Sequence, residues 1–237
     1  METMTSNLIT DNDKITYRRI RAAIGYLGIG LPIALIVFSW LPFFKTAFQN
    51  SISHYYYTNL REILTGILCA VGLFLIRYKG YKNPVFWKND SLLTNLAGAM
   101  AFGIALFPTN PDACCQKIYT LIPYCANFLG IIHYTFAATF FLILAILSIV
   151  VFTIGQKQNL DIPVSIFNEN NIYSTCGYLI LCFIVLIPIF SAFKVMYATL
   201  ILEALALFAF GTSWLIKGRA LGDTGKLGEK VYRERNY

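Results

Sequence analysis

The sequence predicts an all-α, polytopic membrane protein: a bundle of six transmembrane helices with both termini in the cytoplasm. Three observations lead there. Hydrophobic residues make up 57% of the 237-residue chain and charged residues 13%, and the mean hydropathy is +0.60, so water is not the only solvent of this chain. The apolar residues gather into six runs, each near the ~20 residues that a helix needs to cross a bilayer core. Of the 19 lysines and arginines, all but Lys45, Arg61, Lys117 and Lys194 fall in segments on one side of those runs. Basic residues collect on the cytoplasmic side of membrane proteins, which orients the bundle. The net charge of +7 therefore sets topology and does not point to nucleic acid.

The polar segment 1–21 ends in Arg18, Arg19 and Arg21 and is cytoplasmic; the transmembrane domain spans 22–217. Helix one covers about 22–44, with Gly25, Gly28 and Pro32 allowing close packing and a kink. No cleavage site for a signal peptide follows it, so it stays. Helix two covers about 59–78; Asn59 lies three residues before Glu62, the spacing of a capping box in which each side chain satisfies a free backbone donor. Helix three, about 92–107, follows a cap at Asp90 or Ser91 and carries Asn95, Ala99 and Gly103 at i, i+4 and i+8, a stripe suited to close approach in lipid. Helix four, about 126–154, is longer than a perpendicular crossing requires. Helices five and six cover about 173–193 and 197–217, and the charged tail 218–237 is cytoplasmic. The tail's Gly222 to Lys226 lacks the spacing of a phosphate-binding loop.

Between helices one and two, residues 51–63 crowd hydroxyls, a histidine, three tyrosines and an Arg-Glu pair. In this topology they form the rim of an outward-facing mouth. Beneath it, two ionisable residues lie within apolar helices, where each costs several kcal/mol unless paired or hydrated. At the helical rise, Glu203 sits about 9 Å inside the outer end of helix six, and His133 about 10 Å inside the outer end of helix four. Their equal depth predicts an outward-opening polar pocket. His133 and Glu203 form its floor; Arg61, Glu62, Ser51, Ser53, His54, Tyr55, Tyr56 and Tyr57 surround its rim. A direct His133–Glu203 hydrogen bond that only fixes packing is the structural alternative. The three tyrosines also suit an aromatic belt at headgroup level, and Glu62 suits a helix dipole. A cation at a helix N-terminus opposes that dipole, so Arg61 calls for a partner such as Glu203 or a lipid phosphate.

The chemistry read from these residues is the binding, sensing or transport of a lipid headgroup or small solute, with membrane lipids as partners. One alternative is a metal-free, lipid-active hydrolase or transferase in which Ser53 acts with His133 or His54, oriented by Glu203. Another is an oligomeric channel or structural subunit, and a homo-oligomer stays open under either. No cofactor is implied: two histidines, without a His-x-x-x-His pair, fall short of a catalytic zinc set. The six cysteines show no C-x-x-C pair. A disulfide from Cys115 or Cys114 to Cys125 suits an oxidising exterior, and Cys69, Cys176 and Cys182 read as buried small hydrophobes.

Ser51-Ile-Ser-x-Tyr-Tyr-Tyr-Thr with Arg61, the stretch from Asn95 to Thr109, and Phe210-Gly-x-Ser-Trp-x-x-Lys-Gly218 together resemble a group of uncharacterised bacterial multi-spanning membrane proteins. The likeness covers most of residues 20–218. It implies a six-helix protein of the inner membrane and carries no activity.

Overall fold

The structure is a computed structural model, and it describes residues 2–110, 128–154, 167–222 and 226–232. Among them are seven α-helices and no strand: α1 (Glu2–Trp40), α2 (Arg61–Arg77), α3 (Asp90–Leu106), α4 (Phe128–Ile146), α5 (Glu169–Ala192), α6 (Ala198–Lys217) and α7 (Lys226–Tyr232). Four stretches are long and apolar enough to cross a membrane: Asp13–Trp40, Phe128–Val151, Glu169–Ala192 and Ala198–Lys217. α2 and α3 have 17 residues each, about 25 Å at the helical rise.

Each helix from α1 to α6 packs against the next in sequence, and α6 packs back on α1, so six helices close a ring. Glycines bring the backbones together at two seams. Between α1 and α6, a Cβ on Gly211 would lie 2.7 Å from the Gly25 carbonyl oxygen, and one on Gly25 would lie 2.8 Å from that of Gly211. Between α2 and α3, a Cβ on Gly98 would come within 2.7 Å of the Gly72 oxygen. Only hydrogen fits at such separations, and it gives the dispersion contact that drives helix pairing in lipid.

Several expected boundaries move. α1 is already helical at Glu2 and stops at Trp40. Leu41 is extended, with φ −82° and ψ 119°, because the ring of Pro42 disfavours a helical residue before it. The Asn59–Glu62 capping box does not form. Leu60 is the N-cap of α2 and makes no side-chain bond, and the Asn59 amide instead donates to the Phe44 carbonyl at 3.0 Å. At α3 the cap is Asn89, whose Oδ1 accepts from Leu92 N at 3.1 Å, and Asp90 turns inward. The stripe on α3 also differs from the expected one. Asn95 and Ala99 face outward while Gly103 is buried against Phe136 of α4, and Thr94, Ala97, Gly98, Ala101 and Ala105 are the other buried small residues. Helix four runs through a π turn at Leu147–Val151, and α5 begins at Glu169, earlier than expected, because Asn168 caps it by accepting from Asn171 N at 2.7 Å.

The end of the ring where α2 and α6 finish is an aromatic knot. Trp214 is fully buried and meets Tyr78, Phe152 and Phe210 edge-on. Around it, Tyr78 accepts two hydrogen bonds from Arg21, at 2.9 and 3.2 Å, and donates to buried Asp90 at 2.9 Å. Ser148 donates to Ser213 at 3.1 Å. These contacts give Phe210, Gly211, Ser213 and Trp214 a packing role. The tail also has structure: Tyr232 of α7 is buried and donates to the Ile216 carbonyl at 3.1 Å.

Candidate functional site: a cavity beneath a hydrogen-bonded plug

Between α1 and α2 the chain folds into a 3-10 turn, Ser53–Tyr57, that lies over one end of the ring. This plug is fixed by polar contacts to several helices. Leu200 N, one of the free donors in the first turn of α6, donates to the Asn50 carbonyl at 2.9 Å. Ile52 N donates to Glu203 Oε2 at 2.6 Å. The Tyr55 hydroxyl donates to Ser39 Oγ of α1 at 3.0 Å, the Ser39 hydrogen going to the Leu35 carbonyl at 2.8 Å, and the Tyr57 hydroxyl donates to the Thr109 carbonyl beyond α3.

Under the plug is a cavity of about 50 Å³. Its polar lining consists of Ser53, Tyr56, His133 and Glu203; leucines of α1, α2 and α6, Ile104, Phe140 and Phe141 supply apolar walls. His133 is buried and uses both ring nitrogens. Nδ1 is 2.7 Å from the Phe107 carbonyl oxygen and Nε2 is 2.9 Å from Ser53 Oγ. A carbonyl only accepts, so Nδ1 carries hydrogen; in the neutral ring Nε2 then accepts from the Ser53 hydroxyl. A serine hydroxyl, an imidazole and an orienting acceptor thus stand in line, the order that activates a nucleophile.

The rim residues divide. Ser51 and His54 bond to each other: His54 Nδ1 is 2.8 Å from Ser51 Oγ, and His54 N donates to that oxygen at 3.2 Å. His54 is therefore the partner of Ser51, and the histidine beside Ser53 is His133. Tyr55 and Tyr56 are buried and Tyr57 is half-buried, so these tyrosines anchor the plug where a belt was expected. Exposed large aromatics near the two ends of the ring include Trp40, Phe43 and Phe193 at the plug end and Tyr81, Phe86 and Trp87 at the other. Arg61 pairs with Glu62 at 3.3 Å, and its guanidinium sits 5.8 Å from the Tyr56 ring centroid. It answers the helix dipole with these neighbours and not with Glu203. Burial pushes the Tyr56 phenol up, opposed by Arg61, so it keeps its proton at neutral pH.

Glu203 and His133 line one cavity without bonding to each other. Two partners that sequence reasoning did not supply, the Ile52 amide and the Phe107 carbonyl, are backbone groups with no side-chain signature. The Arg21–Tyr78–Asp90 network was also missed; its signal was a rare acid beside a helix start, which read as a cap. Cys114, Cys115 and Cys125 lie outside the described residues, and Cys69, Cys176 and Cys182 are free thiols. Of these three only Cys176 is buried; Cys182 is exposed on α5. Among the described residues, no three His, Cys, Asp or Glu side chains gather as a metal site. No family model, curated protein or solved structure matches the chain.

Proposed function

We propose that this chain is a six-span protein of the inner membrane, both termini cytoplasmic, whose cavity binds a lipid headgroup or small solute for sensing or transport. The ring of six helices, the outward-facing apolar side chains and the distribution of lysine and arginine support the membrane placement. Helices of 17 residues, as in α2 and α3, sit at the short end of the ~17–25 residues that span a bilayer. The observation that carries the binding reading is that His133 of α4 and Glu203 of α6 line the same largely apolar cavity. Such a combination of apolar walls and a few convergent polar groups is the usual make-up of a ligand site. Native mass spectrometry of the protein released from nanodiscs tests it. Wild type should retain a bound small molecule or lipid that the cavity-filling substitution Ala137→Trp displaces; equal ligand content in both would refute the reading.

A second reading is favoured by one distance, the 2.9 Å between Ser53 Oγ and His133 Nε2. It makes the protein a metal-free hydrolase or transferase with Ser53 as nucleophile and His133 as base. A fluorophosphonate probe should then label Ser53 in wild type and leave Ser53→Ala and His133→Ala unlabelled. An unlabelled wild type would remove this reading and leave the first intact. The binding reading ranks first because Ser53 and Glu203 are already engaged in seating the plug.

A further inference from the structure

We infer that the cavity selects a ligand that donates hydrogen bonds, a short alkyl body ending in a primary ammonium or hydroxyl group, over one ending in carboxylate or phosphate. This rests on the binding reading above and names the class of ligand for that site.

The donors and acceptors of the lining set this preference. Among the lining side chains, the Ser53 hydroxyl hydrogen is directed to His133 Nε2 and the His133 Nδ1 hydrogen to the Phe107 carbonyl. With Glu203 as carboxylate, this leaves the Tyr56 phenol as the lining side-chain donor. The acceptors are more numerous: the lone pairs of Ser53 Oγ and the carboxyl oxygens of Glu203, of which Oε2 also receives Ile52 N–H. A ligand meets this surface best by supplying hydrogens. Charge points the same way. Among the described residues no lysine or arginine lines the cavity, and Arg61, the basic residue in the rim sequence, is turned to Glu62 and the Tyr56 ring. An anion would lie beside a carboxyl group in apolar surroundings with no cation to offset it, a placement that weakens binding at least about tenfold against an equal-sized cation or alcohol.

Size narrows the class. A water needs roughly 10–15 Å³ of such space and about 30 Å³ of liquid volume, so about 50 Å³ holds roughly three to five waters or a body of about five to eight heavy atoms. The leucine, isoleucine and phenylalanine walls suit an alkyl chain of that length, with its polar end toward Ser53 and Glu203.

The experiment is a thermal-unfolding series on the full chain in phosphatidylcholine nanodiscs, followed by tryptophan fluorescence, with n-hexylamine, n-hexanol and hexanoate at matched concentrations. The expected result is an upward midpoint shift with hexylamine and hexanol that needs at least about tenfold more hexanoate to match, and that is lost in Ala137→Trp. If that variant does not fold, Leu207→Phe fills the same space. A shift as large with hexanoate as with hexylamine overturns the selectivity while leaving the binding reading standing. A shift that survives cavity filling, or no shift with any of the three, overturns both. Glu203→Gln should narrow the gap between hexylamine and hexanoate; an unchanged gap removes Glu203 as its source.

Discussion

The contact between Ile52 N and Glu203 is the clearest place to perturb, because glutamine and leucine at position 203 separate charge from hydrogen bonding. Ile52 is only 6% exposed, and its amide donates to the carboxyl oxygen across 2.6 Å. Glutamine keeps a carbonyl oxygen of nearly the same reach and forfeits at most the added strength of a charged acceptor, about 1 kcal/mol. Leucine fills similar volume and offers no acceptor, so a buried N–H is left without a partner at a cost of about 1–3 kcal/mol. A middle value of ~2 kcal/mol corresponds to roughly a 30-fold change in an opening equilibrium. Hydrogen exchange of a peptide covering residues 45–60 reads that opening directly. Exchange in Glu203→Leu should be faster than in wild type by roughly that factor, with Glu203→Gln between the two. If the leucine variant exchanged no faster than the glutamine variant, Glu203 would not be seating the plug and the geometry of the site would be wrong.

Other outcomes follow from the same contacts. Gly211→Ala places a methyl group 2.5 Å from Ile29 Cγ1 and 2.7 Å from the Gly25 oxygen, and should destabilise by about 1–3 kcal/mol in thermal unfolding. Gly30→Ala has no atom within 4 Å of the new methyl and should be neutral or slightly stabilising. Tyr78→Phe takes from buried Asp90 its hydroxyl donor and from Arg21 its acceptor; a loss of about 2–3 kcal/mol is expected in denaturant titration, and an unchanged midpoint would show that the network contributes nothing. For topology, single cysteines in an otherwise cysteine-free chain should react with a membrane-impermeant maleimide from outside at Ala47→Cys, and only after permeabilisation at Lys82→Cys.

Helices were legible in the sequence because their apolar runs are long and unbroken, and helical rise alone put His133 and Glu203 within reach of the one cavity that both line. Which side chains touch was less legible. Arg61 and Tyr55 to Tyr57 look like a rim and a belt when counted along the chain, yet the plug folds back over the ring and buries Tyr55 and Tyr56. Nothing in the order of residues announces that a short loop will take its hydrogen bonds from four different parts of the molecule. Of the expected stripe on α3 only Gly103 is buried, and Asn95 and Ala99 failed for a related reason. Asn95, Ala99 and Gly103 are small or polar at the right interval, but two adjacent stripes of small residues compete on that helix. The face through Ala97, Gly98 and Ala101 won because Gly72 of α2 was there to meet it. Ser53 and His133 are 80 residues apart in the chain, and no local pattern could select His133 over the adjacent His54 as the partner of Ser53.

The meeting of α1 with α6 at Gly25 and Gly211 has a bearing on biogenesis. The first stave of this bundle finds its last neighbour only after some two hundred residues have been synthesised, so α1 waits beside α2 with its glycine groove uncovered. A chain that stalls before α6 emerges would present that groove, together with an unclasped plug, to whatever surveys unfinished chains.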